Sequence, residues 1–395
     1  VRAYKTELAP NNVQRTLLLK SAGTARFAYN WGLARRQEQF KQTGKSSNAI
    51  ALHRELNRIK KTDYPWMYEV SKCAPQEALR DLEDAFQRFF KGRARYPKYK
   101  SKKNGVGSFT LTGAVKICVD RVRLPRIGTI RLKEDNYLPT DQHILSTTVS
   151  EHAGRWFISV LVDTESEIME NIGPVVGVDL GVNRLATCSD KTMYANPRAF
   201  KRNERKLRKL QRSLSRKKKG SNNRFKAGLR VGRTHVRIEN IRRDAIHKIT
   251  TVLAKTKSVI VIEDLNVSGM MGNHRLSKSI ADASFGEFRR QLQYKANWYG
   301  SRLVVADRWF PSSKMCSVCG HVKEITLSER VYTCEVCGAE LDRDLNAARN
   351  LEFAASSAET LNACGEVTSV EEEISVMQAT SMNQESNAIR SVLDG

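Results

Sequence analysis

The sequence predicts a mixed chain: an α/β domain in its second half, preceded by a small antiparallel β-barrel and a helical lobe. Three observations carry that expectation. Short uncharged runs at 175–178, 259–262 and 303–306 read as strands, the first buried on both faces and the second apolar and buried, with helical stripes between them. From 109 to 162 the pattern alternates, and turn residues separate segments at 115–119, 129–133, 146–149 and 156–161, as in a small barrel. Apolar residues recur at helical spacing over 13–40 and again over 75–90.

Residues 1–12 read as a short strand, with Pro10 and Asn11 opening a helix. That strand can join the barrel, which makes the helical module an insertion. In the second helix Leu79, Leu82, Phe86, Phe89 and Phe90 form the inner face, so these aromatics read as core. Residues 93–103 are basic with interleaved aromatics. A solvated linker is one reading; nucleic-acid contact through Arg93, Arg95, Tyr96 and Lys98 is the other. Residues 165–171 read as a linker. Residues 201–233 hold fifteen Lys or Arg and one acid, Glu204, around a stripe of Leu207, Leu210 and Leu214. That excess points to a phosphate backbone, contacted by Arg205, Arg208, Arg212, Arg216 and Lys217. Residues 241–253 read as a further helix, 269–282 as a loop, and Phe285, Phe288, Leu292 and Ala296 mark another helix.

The chain has 395 residues, enough for two or three domains, and a net charge of +25. The last 45 residues hold eight acids and only Arg390 as a base, and read as disordered, so residues 1–350 carry 66 basic against 34 acidic groups, near +32. Such an excess calls for a polyanionic partner. No apolar run reaches the roughly 18 residues of a membrane span, and the start lacks the apolar core of a signal peptide. Four of the eight cysteines are clustered and the others scattered, which argues against a disulfide framework and fits a reducing cytoplasm.

Two constellations carry chemistry. Cys316-x-x-Cys319 and Cys334-x-x-Cys337, fourteen residues apart and each followed by glycine, form a zinc-ribbon pattern: four thiolates for one structural Zn²⁺. The second is acidic. Asp179 ends the run at 175–178, and Gly177 shares its face, leaving room for a metal or a phosphate backbone to approach. A hairpin cap is the bland alternative for Asp179. Residues 181–184 then turn the chain into a strand at 185–188. Glu263 ends the run at 259–262, and Asp344 reads as the N-cap of a helix with Leu345, Ala348 and Leu351 on its apolar side. Three such carboxylates suit two Mg²⁺ ions and phosphodiester hydrolysis. Asp264 and Asp342 are alternatives to Glu263 and Asp344, Asp342 reading as structural, while Asp282 reads as a helix cap before Ala283 and Phe285.

In order, GVDLG, VIEDL, CSVCG, CEVCG and DRDLNAARN resemble the TnpB proteins of insertion sequences, relatives of type V CRISPR effectors. The segments GTARFAYNWGLARR, FGEFRRQLQYKANWYG and RWFPSSKMCSVCG look like that family too, and the resemblance spans most of 1–352. It implies an RNA-guided DNA endonuclease that binds a guide RNA and double-stranded target DNA beside a short motif. It implies a RuvC-type nuclease domain of RNase H-like fold (171–352) with the zinc ribbon inserted (314–339). A wedge barrel (1–12 and 104–170) would enclose a helical recognition domain (13–103), and 353–395 would be an acidic tail. It carries the catalytic roles to Asp179, Glu263 and Asp344, and makes 269–282 a mobile lid. It also implies a prokaryotic cytoplasmic protein, at the nucleoid when bound to DNA. Lys72 and Gln76, four apart, are candidates for reading the short motif, against a plain surface pair. Guided binding without cleavage, a strand-joining transposase, and a non-catalytic RNA-binding protein are the competing functions.

Overall fold

The structure, a computed structural model, describes residues 1–102, 105–164, 169–326 and 329–362. It divides into two compact units, Val1–Ser166 and Glu167–Gly395. The expected disorder of the acidic tail falls, from residue 363 on, outside the described residues.

The first unit opens with β1 (Arg2–Ala9), then α1 (Asn12–Thr43), α2 (Ala49–Ile59), a 3₁₀ turn (Pro65–Glu69) and α3 (Cys73–Phe90). Asn11 starts α1 as expected: its side chain accepts from Gln14 N–H while the Gln14 side chain accepts from Asn11 N–H. Six strands follow: β2 (Ser108–Leu111), β3 (Lys116–Ile117), β4 (Arg121–Leu124), β5 (Gly128–Leu132), β6 (Ile144–His152) and β7 (Arg155–Val162). With β1 they form one seven-stranded antiparallel sheet in the order β2-β6-β7-β1-β5-β4-β3. β1 pairs with β7 and β5, so α1 to α3 are inserted into a sheet begun before them. The described pairings end at β2 and at the two-residue β3 and do not close the sheet into a ring. A continuous core joins helices and sheet, from Leu18, Leu33, Leu79 and Leu82 to Ile130, Ile158 and Val160.

Two expectations change here. Phe90 ends α3 76% exposed, stacked on Phe86 rather than lining the inner face, because the helix has run past its core. The basic stretch after α3 is tied down. Tyr96 packs edge-on against Phe86 and Phe89, and Lys100 exchanges two hydrogen bonds with the Asn30 side chain. Tyr96 thus helps anchor the segment while staying 43% exposed, and Arg93, Arg95 and Lys98 lie on the surface.

The second unit has β8 (Val176–Asp179), β9 (Arg184–Cys188) and β10 (Met193–Ala195), then α4 (Ala199–Ser215) and α5 (Asn222–Thr256). Next come β11 (Val259–Glu263), α6 (Val267–Met271), α7 (Ser277–Ala283), α8 (Phe285–Tyr299), β12 (Arg302–Ala306), the hairpin β13 (Val331–Thr333) and β14 (Glu340–Asp342), and α9 (Arg343–Asn362). The main sheet runs β10-β9-β8-β11-β12; β8, β11 and β12 are parallel, β9 and β10 antiparallel. Its two faces are separated by strand parity. Val176, Val178, Ile260 and Ile262 pack against Ile249 and Leu253 of α5 and Phe288 and Leu292 of α8. Val259 and Val261 pack against Leu351 of α9 on the other face.

The stretch 222–256 is one helix of 35 residues, where the sequence pattern marked only its second half. Its first half is basic and gains its apolar contacts from α4, through Val231 and Ile238 against Leu207 and Leu210. The expected loop 269–282 is largely helical, in α6 and α7. Among the described residues no helix is long and apolar enough to cross a membrane.

Gly177 has a role opposite to the one its sequence context suggests. The space beside it is filled: a Cβ would meet Ala348 O at 1.9 Å and Glu352 N at 2.5 Å. The glycine admits the backbone of α9, not a ligand. Gly177→Ala should therefore force α9 off the sheet and cost about 1–3 kcal/mol or more, as overpacked sites do. Thermal unfolding checks this, and an unchanged midpoint would disprove the close packing.

Candidate active site and metal centre

Parity also decides where the acids point. Val175, Gly177 and Asp179 face α9, as do Val259, Val261 and Glu263. The register pairs Val261 with Gly177 and Ile262 with Val178, so Glu263 falls level with Asp179 on the neighbouring strand. Asp344 lies one helical turn before Ala348, the residue that touches Gly177. Two residues of strand advance about 6.6 Å and one turn of helix about 5.4 Å, so Asp179 and Asp344 arrive side by side.

The electrostatics agree. Burial, then the charges of Glu263 and Asp344, push the Asp179 carboxyl well above the ordinary carboxylate range; Arg343 partly offsets them. Ser312 Oγ donates to Glu263 Oε1. Arg343 donates to Asp344 Oδ1 at 3.3 Å.

The alternative acids have other partners. Asp342, not Asp344, is the cap of α9: its Oδ1 accepts from the N–H groups of Asp344 and Leu345 at 3.1 and 3.2 Å. Its Oδ2 accepts from Arg184 at 2.9 Å. Asp264 points to the opposite face, paired with Arg289 of α8 and with Arg308, both at 2.6 Å, and these hold it below the usual range. Asp282 is a cap, but of α4: it accepts from Phe200 N–H at 2.8 Å and lies 3.4 Å from Arg242.

The four cysteines converge. Cys316 and Cys337 sulfurs are 3.7 Å apart, Cys319 and Cys334 3.5 Å, and all four lie within 4.8 Å of one another. Four sulfurs about 2.3 Å from one zinc ion stand about 3.8 Å apart, so the cluster fits a tetrahedral ion and is too open for disulfides. Gly320 and Gly338, at φ +75° and +69°, make the tight return of each knuckle; their N–H groups donate to Cys316 O and Cys334 O. The crowded thiols split in their titration: the N–H groups of Cys337 and Val336 help draw the Cys334 thiol down, while Cys319 beside it is pushed up. Buried Tyr332 closes the lobe, donating its hydroxyl to Lys314 O or His321 O.

Sequence reasoning missed the residues that join ribbon and acids. Asn346 accepts from Ser317 N–H at 2.8 Å and donates to Met315 O; Asn350 donates to Ser312 O and Met315 O. Both amides are buried. The signal was present: two asparagines four apart share one face of a helix with Leu345, Ala348 and Leu351.

The basic candidates on α4 and just past its end lie together. Arg205, Arg208, Lys209, Arg212, Ser213, Arg216 and Lys217 line an open groove of about 650 Å³. In the first unit Lys72 is the N-cap of α3, exposed, and Gln76 sits one turn on, half-buried.

Comparison with known proteins fits this architecture. Residues 157–274 match the OrfB_IS605 family, described as "Probable transposase"; 285–351 match the Cas12f1-like TNB domain and 1–45 the OrfB_IS605 helix-turn-helix domain. A Streptomyces pristinaespiralis protein named "Putative RNA-guided DNA endonuclease" is 37% identical over 393 residues, 97% of this chain and 96% of its own. InsQ of Escherichia coli (strain K12), which bears the same descriptive name, is 36% identical over 389 residues, 93% of this chain and 94% of its own. The fold resembles that of Cas12f1 solved in complex with sgRNA and target DNA, with TM-score 0.54, 16% identity, and coverage of 85% of this chain and 81% of that one. The chain belongs to the TnpB family, the OrfB proteins of IS605-type elements.

Two outcomes follow from the site's charges and its cysteines. A carboxyl whose folded pKa is raised binds more protons folded than unfolded, so it lowers stability as pH climbs from the ordinary aspartate range through the raised value. Asp179→Asn should therefore raise the melting temperature of the magnesium-free protein near pH 7.5, and lose that advantage in acid. A lower midpoint at pH 7.5 would contradict it. In protein loaded with Zn²⁺, a chelator should melt the 314–339 lobe, seen as selective proteolysis there, since metal binding supplies folding energy.

Proposed function

We propose that this protein is an RNA-guided DNA endonuclease of RuvC type, hydrolysing target DNA at Asp179, Glu263 and Asp344. The observation that carries the reading is the convergence of these acids from two parallel strands and a helix start. Its chain also matches, over nearly its whole length, a relative named for that activity.

The donor set suits magnesium: all-oxygen ligands, with one acid buried among like charges and held by no basic partner of its own strand. Two Mg²⁺ ions held there would supply an activated water and neutralise the leaving 3′ oxygen. Asp179 and Glu263 are fixed by the parallel ladder, so their separation is set by backbone pairing. Ser312 orients the Glu263 carboxylate by donating to it. Arg343 and Arg184 lie beside the acids, placed to meet backbone phosphates of the bound strand. Cys316, Cys319, Cys334 and Cys337 would hold one structural Zn²⁺.

In this reading the guide RNA pairs with the target and reads its sequence, and the protein contributes backbone contacts, a check of the adjacent motif, and the nuclease. The α4 groove is the chief candidate for phosphate contact, with Arg93, Arg95 and Lys98 supporting it and Lys72 and Gln76 reading the motif. The seven-stranded sheet serves as wedge, α1 to α3 as recognition lobe, and the second unit as nuclease domain. Such a protein works at the nucleoid of a prokaryotic cytoplasm.

The test starts with purification from cells carrying the native locus and sequencing of the RNA that comes with the protein. One dominant species, used as guide, should direct Mg²⁺-dependent cutting of matched DNA. Asp179→Ala, Glu263→Ala and Asp344→Ala should each abolish cutting and keep guide and target binding. Guided binding with no cutting by the unmodified protein would leave a binding protein, and joined rather than cleaved strands a transposase.

A further inference from the structure

The loop after β12 carries a tryptophan to the rim of the acid site. Trp309 N–H donates to Asp307 Oδ1 at 2.8 Å, and Phe310 N–H to Asp307 O at 3.1 Å, so Asp307 fixes the turn. The turn is tied to the end of β11 on both sides of Trp309. Arg308 donates to Asp264 Oδ2 at 2.6 Å, and Ser312 donates to Glu263. Phe310 packs into the cluster of Val259, Val261 and Leu351 beneath α9. The backbone on each side is thus anchored, yet Trp309 is 85% exposed, more than any other aromatic side chain among the described residues.

An indole left in water forgoes the burial that normally makes tryptophan stabilising. Here the neighbour on either side is engaged and the ring is not. The turn also lies off the carboxyl ends of β8, β11 and β12, the edge where Asp179 and Glu263 stand and where ligands of open α/β sheets bind. A rigidly mounted aromatic face at that edge fits the flat face of an unpaired base, which stacking accepts whatever its identity.

We infer that Trp309 stacks on an unpaired nucleobase of the DNA strand being cut, beside the scissile phosphate, and so sets which phosphodiester enters the acid site. This rests on the endonuclease reading above and adds a substrate-positioning residue to it. The indole touches the base while the acids act on the phosphate next to it. A strand still paired at that point has no free base face to offer, so the inference also makes Trp309 selective for unwound DNA.

Single-turnover cutting by the full guide-loaded protein tests it, with Trp309→Ala, Trp309→Phe and Trp309→Leu on targets carrying an abasic site stepped past the cut. Trp309→Ala should slow cutting about tenfold, within the range a stacked base contributes. Trp309→Phe should recover most of the rate and Trp309→Leu none, with guide binding and melting temperature unchanged. One abasic position should slow the unmodified protein by the same factor and add nothing to Trp309→Ala. In buffer without divalent cation, 2-aminopurine in single-stranded DNA should be quenched by the unmodified protein and not by Trp309→Ala. Equal rates and equal quenching in those two proteins overturn the inference, as does Trp309→Leu matching Trp309→Phe. Quenching that depends on Trp309, in a protein that never cuts, would overturn the nuclease reading and leave the stacking in place.

Discussion

The contact between Gly177 of β8 and the α9 backbone at Ala348 is the constraint on which the second unit depends. No side chain fits between strand and helix, so the helix lies against the sheet at a fixed height and its rotation is set. Strand and helix rises then differ by only about 1 Å over the interval from this contact to the acids, and Asp344 is delivered to Asp179 without a loop having to place it. The same helix presents Asn346 and Asn350 to the ribbon. A helix standing a side chain's width farther off would separate Asp344 from Asp179.

Neighbouring acids show what carboxylates do when their role is structural. Asp342 takes two helix N–H groups and an arginine, Asp264 two arginines, Asp282 the start of α4 and Arg242. Each is held by hydrogen-bond donors or by arginine side chains. Asp179 instead gains burial and two further carboxylates, and its charged form is disfavoured. The fold tolerates that because the strand below is uncharged and packed on both faces, through Val176 and Val178 to α5 and α8 and through Gly177 to α9. Stability is thereby given up at one position, since burial and two neighbouring carboxylates both oppose the charge of Asp179.

Much of this was legible in the sequence, and the misses have physical causes. Uncharged runs ending in an acid marked β8 and β11 because burial on both faces leaves no room for alternation. The cysteine spacing marked the ribbon because each knuckle is local, closed within a few residues by a glycine at positive φ. What periodicity could not supply was long-range. Gly177 looked like an opening for a ligand, since nothing local says that a helix 170 residues later fills it. Asp282 looked like a cap for its own neighbours, whereas its partner lies 82 residues earlier in α4. The first half of α5 read as basic surface because its apolar residues are sparse and find their contacts only once α4 folds back on it. Asp342 and Asp344 are two apart, and which of them caps α9 depends on where the helix begins, the least certain feature of a sequence pattern.

The ribbon's place in the chain gives it a part beyond its own stability. It lies between β12 and α9, so both of its ends join elements of the acid site. Its entry segment carries Ser312 and Met315, whose carbonyls accept from the amide of Asn350 while the Ser312 hydroxyl donates to Glu263. Its exit runs through β14 into Asp342 and the first turn of α9. A metal that closes the four cysteines therefore fixes the two chain ends that orient Glu263 and Asp344. The cysteine lobe and the acids are linked through the Asn346 and Asn350 amides on α9. The helix that approaches Gly177 closely is thus held at its start by the lobe that the four cysteines organise.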